Sequence, residues 1–251
     1  TYVGWNWKAG TGQGSSNTDG SINTTYTSAS TTSGFSISTY TGTGANATVG
    51  HGLGVAPKVV LIKQTNGTAW WFMYHNDLGT TGKLNLNTTG YNNDLQASYW
   101  NSTAPSSSVF SLGTESSVNG SSQNFVAYCF AEKKGFSKFG SYTGNGVADG
   151  AFVYTGFKPA FLLAKEVSQS GESWIMFDNA RSTSNVTDEV LFANSNQQEE
   201  ANQTSKGIDF LSNGFKIRST DAVLNDGETY IYMAFAEEPL VSSNNIPATA
   251  R

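Results

Sequence analysis

The chain has 251 residues, a formal charge of −5 and only 13% charged side chains, while Ser, Thr, Asn and Gly together make up 43% of it. That length suits two domains rather than one small module. Aromatic residues at 13% with few helix formers argue against a helical bundle and against a disordered chain, and scattered Lys and Arg argue against a nucleic-acid partner.

No apolar run approaches the roughly 18 residues of a membrane span, so no membrane insertion is expected. The single cysteine, Cys129, cannot form an internal disulfide. Residues 1–9 read as the last strand of a truncated upstream repeat: Tyr2, Val3 and Trp7 fall on Phe125, Val126 and Phe130. Residues 10–33, almost all Gly, Ser, Thr and Asn, read as a linker or an extended arm.

Residues 34–134 form a first repeat and 135–240 a second. Tyr40-Thr41-Gly42-Thr43-Gly44 recurs 102 residues on as Tyr142-Thr143-Gly144-Asn145-Gly146. Gly54, Pro57 and Lys63 recur as Gly156, Pro159 and Lys165, and Phe125 to Glu132 recurs as Tyr230 to Glu237 at an offset of 105. Collinear matches whose offset drifts by a few residues are the signature of a duplicated unit with small loop insertions.

Within each repeat, short apolar runs are cut by turn residues, the pattern of a sandwich or barrel. Val59–Ile62 and Ala160–Leu163 read as buried strands, followed by strands at 70–75 and 173–178. Thr65–Thr68 and Gln169–Glu172 supply the hairpin turns. In the last strand, Val126, Tyr128 and Phe130 are expected to face the core, as are Ile231, Met233 and Phe235. Ala127, Cys129 and Ala131 then mark close approach of another layer. Trp71, Met73, Trp174 and Met176 are read as core. The one helical candidate is 197–205, and 241–251 reads as a C-terminal tail. The predicted fold is all-β: two tandem homologous β-sandwich domains with little helix, for which jelly-roll-like and immunoglobulin-like strand orders both suit about eight short strands and the jelly-roll-like order is preferred.

Chemistry-bearing residues form no recognisable constellation. His51 and His75 show no ligand set at metal-binding spacing and read as surface or turn residues. Asp77, Asp94 and Asp149 are the acids of Asn-rich loops, but no calcium-loop motif surrounds them. Glu132 and Glu237 are placed alike in both repeats, yet each follows a core strand where a solvated cap suffices. Cys129 aligns with Ala234, which speaks against a nucleophile. No enzyme activity, metal or cofactor is expected. The contact surface that remains is aromatic: Trp70, Tyr91, Tyr99 and Trp100 have no aromatic counterparts in the other repeat.

Three stretches carry a family resemblance: Val126 to Glu132, Phe136 to Gly146 and Phe152 to Ala160, with Val49 to Pro57, Tyr230 to Glu237 and Trp5-Asn6-Trp7-Lys8-Ala9-Gly10 beside them. They resemble a tandem repeat of large virion structural or tail-fibre-like proteins of tailed bacteriophages, aquatic ones especially. The end departs from that pattern: Ala250-Arg251 is kept but 241–249 differs. The resemblance implies location at the virion surface, in a tail fibre, spike or appendage, with other virion subunits as partners and homo-oligomeric assembly. Host-surface glycans are the further partner class, and a lectin-like carbohydrate- or cell-surface-binding module is the alternative reading.

Overall fold

A computed structural model describes residues 3–92, 95–203 and 205–237. These residues divide into two units. The first holds Gly4–Leu86 and Asn92–Glu132, and the second holds Val3, Asn87–Tyr91 and 133–237.

The first unit contains β1 (Tyr26–Ser30), β2 (Phe35–Thr41), β3 (Ala47–Gly50), β4 (Val59–Gln64), β5 (Trp71–His75), β6 (Leu84–Asn85), the one-turn helix α1 (Ala97–Trp100), β7 (Val109–Leu112), the one-turn helix α2 (Ser116–Asn119) and β8 (Asn124–Phe130). Its large sheet runs β1-β2-β8-β4-β5-β6, and β3 pairs with β7 in a second, two-stranded sheet. The second unit contains β9 (Ser137–Thr143), β10 (Phe152–Tyr154), β11 (Phe161–Glu166), β12 (Ile175–Asp178), β13 (Leu191–Phe192), β14 (Lys206–Leu211), β15 (Gly214–Ser219), the one-turn helix α3 (Ala222–Asn225) and β16 (Thr229–Phe235). Its sheets run β13-β12-β11-β16-β9 and β10-β15-β14.

The fold is all-β, with antiparallel ladders throughout the named strands. Strand for strand, β9-β16-β11-β12-β13 repeats β2-β8-β4-β5-β6, and β10-β15 repeats β3-β7. In each unit the first repeated strand pairs with the last and the second with the next-to-last, the nested wrapping of a jelly roll. The third to fifth strands instead stay in the large sheet as a meander. The hairpin turns at 65–68 and 169–172 link β4 to β5 and β11 to β12 as expected.

Each core lies between the two sheets of its unit. In the first, Val60, Ile62, Phe72, Tyr74, Phe125, Ala127 and Cys129 of the large sheet meet Val49, Phe110 and Leu112 of the small one. In the second, Leu162, Ala164, Ile175, Phe177, Tyr230, Tyr232 and Ala234 meet Val153, Ile208, Phe210, Phe215 and Ile217. The expected facing of the last strand is therefore reversed: the small residues Ala127 and Cys129 point into the core. The volume there is filled by rings from neighbouring strands, and a small face lets two sheets close to about 10 Å. The larger set lies on the other face of the sheet. There Tyr128 stacks on Phe35 at 6.3 Å and on Trp71 at 6.1 Å. Likewise Phe235 meets Phe139 at 5.4 Å and Phe161 at 6.2 Å. Met73 and Trp174 are buried and Trp71 and Met176 half-buried, on that outer face too.

The Tyr-Thr-Gly repeat marks a corner built twice. The Tyr40 hydroxyl donates to the Val118 carbonyl at 2.7 Å, and that of Tyr142 to Leu224 at 3.0 Å. Next to each acceptor sits a fully buried asparagine ending the one-turn helix. Asn119 Nδ2 donates to the carbonyls of Ala45 and Gly113 at 2.6 and 2.8 Å, while its Oδ1 accepts from the Thr43 N–H at 2.9 Å. Asn225 repeats the set with Val147, Ser219 and the Asn145 N–H, all at 2.7 Å. Gly42 is required because a Cβ there would collide with the Gly120 carbonyl oxygen. Glu115 and Asp221 cap the two helices by accepting from the N–H of Ser117 and Val223.

Three further sequence expectations change. Residues 10–33 are not a free linker: β1 pairs with β2 from Tyr26 to Ser30, Ile22 bridges Val49, and Ile22 and Thr24 are buried. Apolar and hydroxyl side chains at alternate positions seat this arm, which composition alone conceals. Residues 3–9 form no strand, although Trp7 meets Phe130 edge-on at 6.3 Å. The described part of 197–205 is not helical. The tail, 241–251, lies outside the described residues, as do Tyr2 and Asp94.

Candidate functional site

Exposed large apolar side chains occur in both units, and two of them, Phe152 and Tyr154, stand side by side on one strand of the small sheet of the second unit. Alternation along β10 turns Val153 inward and leaves Phe152 and Tyr154 outward, 47% and 66% exposed. Beside them on β15, Gly214 and Lys216 are the register partners of Tyr154 and Phe152. A Cβ at Gly214 would collide with the Val153 carbonyl, so the close approach of β10 requires glycine there. The exposed Val147 lies in the turn that leads into this strand.

Next to the rings stands a compact charged network. Lys216 Nζ pairs with Asp149 at 2.8 Å and donates to the Gly150 carbonyl at 3.1 Å. Arg218 bridges Asp149 at 3.2 Å and Asp209 at 2.6 Å. The hydrogen bond and charge of Lys216, then the charge of Arg218, hold the Asp149 carboxyl below the usual carboxylate range. The cluster is neutral as a whole. Flat rings beside fixed donors and acceptors suit a polar, uncharged ligand or chain.

The predicted contact surface is only partly a surface. Trp70 is exposed at 53% and Tyr91 is half-buried. Tyr99 and Trp100 belong to the core of the first unit, at 7% and 2% exposure, and are corrected to structural residues. Tyr99 stacks on Phe72 at 5.4 Å, and Trp100 donates from Nε1 to the Gly82 carbonyl at 2.8 Å. One turn of helix aims both rings inward from a polar loop, and a single turn is too short to show a helical period.

The histidines do close turns, but neither is a surface residue as expected: both are fully buried. His51 Nδ1 accepts from the Leu53 N–H at 3.1 Å while Nε2 faces the Ser106 carbonyl at 3.2 Å, so the proton sits on Nε2. Burial pulls its pKa below the usual histidine value. In the second unit Thr155 holds this place, its Oγ1 accepting from the Phe157 N–H. His75 Nδ1 accepts from the Asp77 N–H, and its counterpart Asp178 accepts from Ala180 and Arg181. Each histidine thus stands in for a shorter acceptor that closes the same turn.

Burial pushes the Cys129 thiol up to about 12. Lys165, fully buried, donates to the Glu166 carbonyl, and desolvation lowers its pKa to about 8. Burial raises nearby Glu172, followed by the charge of Asp221. Lys63 makes the same bond to the Gln64 carbonyl in the first unit, so the lysine position belongs to the shared framework. Glu132 is half-buried and Glu237 exposed. Among the described residues, no group of three His, Cys, Asp or Glu side chains could hold a metal ion, and no helix is long and apolar enough to cross a membrane.

No curated protein and no solved structure matches the chain. One family model, described as a domain of unknown function (DUF7483), matches residues 1–239 and so spans both units. The chain belongs to the DUF7483 family.

Proposed function

We propose that this chain is a structural protein of a bacteriophage virion, part of a tail fibre, spike or surface appendage assembled from β-sandwich repeats. One observation carries the reading. The framework is built twice, down to the buried tyrosine and asparagine of each corner, whereas the two histidines and the cysteine are not. His51 becomes Thr155, His75 becomes Asp178 and Cys129 becomes Ala234. Repetition of scaffold without repetition of chemistry is what a load-carrying or spacing module needs. The resemblance of the repeated segments to phage virion repeats supplies the setting. The test is antibody labelling of purified particles from the source, imaged by electron microscopy. Label on a fibre, tail or capsid surface is the expected result; unlabelled particles, with the chain free or on cells, overturn the proposal.

A second reading, a lectin-like module, is favoured by the exposed Tyr154 and Phe152 rings beside Lys216, Arg218 and Asp149. Sugar faces stack on such rings while charged groups bond their hydroxyls. Glycan-array binding that disappears in Tyr154→Ala, with the unfolding midpoint unchanged, supports it. Binding that survives this change excludes the β10 face as the site.

A further inference from the structure

The two units differ at one edge, and the difference marks a docking site. In an antiparallel ladder, alternate residues turn their N–H and C=O away from the partner strand. In the first unit His51 N–H bonds Ser108 O, so Thr48 and Gly50 of β3 face away from β7. Both are used. The Thr48 carbonyl accepts from the Ile22 N–H at 3.0 Å, and the Thr48 N–H donates to Ser21 Oγ at 2.9 Å. The Gly50 carbonyl accepts from Ser38 Oγ at 3.0 Å. The side chain of Ile22 then closes the end of the core at 7% exposure.

In the second unit Ile217 N–H bonds Ala151 O, and Thr155 N–H bonds Asn213 O. Phe152 and Tyr154 therefore occupy the places of Thr48 and Gly50, with N–H and C=O aimed away from β15. Among the described residues nothing bonds these groups. The core behind them is correspondingly less covered. Tyr142, Val153 and Phe157 are 8%, 8% and 6% exposed, where Tyr40, Val49 and Leu53 are 2%, 0% and 2%. The first unit shows what fits such an edge: a short extended segment, uncharged, with one aliphatic side chain turned inward.

We propose that β10 is a strand-addition site that takes an extended Ser/Thr/Asn-rich segment of another polypeptide, of the chemistry of residues 20–24. Its backbone N–H donates to the Phe152 carbonyl, and a side-chain hydroxyl accepts from the Phe152 N–H, as Ile22 and Ser21 do at Thr48. Its aliphatic side chain covers the remaining exposure of Val153, Tyr142 and Phe157. Edge pairing supplies the affinity, and the inward-turned aliphatic side chain fixes the register.

The test uses the whole chain and a synthetic peptide of residues 15–25 as probe, followed by isothermal titration. Saturable binding is expected. A peptide N-methylated at Ile22 loses the donor without altering the protein, and is expected to bind about tenfold more weakly. Phe152→Pro removes an outward N–H while leaving the bonds to β15, and is expected to weaken the unmethylated peptide likewise. Concentration-dependent self-association that the peptide competes away supports the site and makes a second copy the partner. No binding at millimolar peptide, or equal binding of the methylated peptide, overturns the proposal. Glycan binding at Tyr154 with no peptide binding overturns it as well. None of these results depends on whether the chain is found on a virion.

Discussion

Replacing Asn119 by Ala removes three hydrogen bonds, to Thr43 N–H, Ala45 C=O and Gly113 C=O, of which the Ala45 carbonyl keeps a second donor in the Thr43 hydroxyl. A net protein hydrogen bond contributes about 1 kcal/mol, and a buried group left without a partner costs about 1–3 kcal/mol. Thr43 and Ala45 are exposed residues, so water can take over there and only the bond itself is lost. Gly113 is buried, so its carbonyl bears the larger penalty. The sum is about 3–5 kcal/mol. Asn225→Ala strands Asn145 N–H, Val147 C=O and Ser219 C=O, of which only Ser219 belongs to a buried residue, and the same loss is expected. Urea unfolding of both variants beside the exposed control Asn46→Ala measures it; the control should stay within about 0.5 kcal/mol. A loss below about 1 kcal/mol in either variant would refute the account of the corner.

Gly42→Ala should destabilise by at least about 2 kcal/mol, because its Cβ meets the Gly120 carbonyl and the Asn119 backbone. Gly54→Ala, with open space and φ +71°, should cost only about 1 kcal/mol in the same unfolding assay. Burial depresses Lys165 from 10.5 to about 8, so the unfolded chain binds more protons between these values and stability rises with pH across that window. The gain is about 3 kcal/mol at most, and Lys165→Met should lack it when unfolding is compared at pH 7 and pH 10. Cys129 should resist a thiol-reactive disulfide reagent in the native protein and react fully in urea, because burial both shields the thiol and holds its pKa near 12.

The duplication and most strands can be read from the residues, because collinear matches survive loop insertions and apolar runs end at Gly, Asn and Pro. Three things could not be read. The core face of β8 is the small-residue face, since core volume belongs to a whole layer and not to one strand. Tyr99 and Trp100 are buried from within a polar loop by one helical turn, which leaves no periodicity. The arm at 10–33 looks like a linker because Ser, Thr and Asn bond an edge as readily as they bond water. The β10 surface did leave a signal: Phe152 and Tyr154 stand where the first repeat has Thr48 and Gly50. Recognising it requires an offset of 104 at this strand, which only the ladder register supplies.

The pairing of first strand with last has a consequence in time. Phe35 faces Phe130, and Ser137 faces Phe235, so each large sheet waits for the far end of its own unit. A ribosome adds roughly 5–20 residues per second, so β2 is without its β8 partner for roughly 5–20 s after it is made. Non-local closure of this kind is slow once the whole unit is available. A nascent chain cut short anywhere before β8 or β16 therefore lacks the strand that joins the rest, and its aromatic strands stay open to other chains. Synthesis must run to the end of each unit before that unit exists.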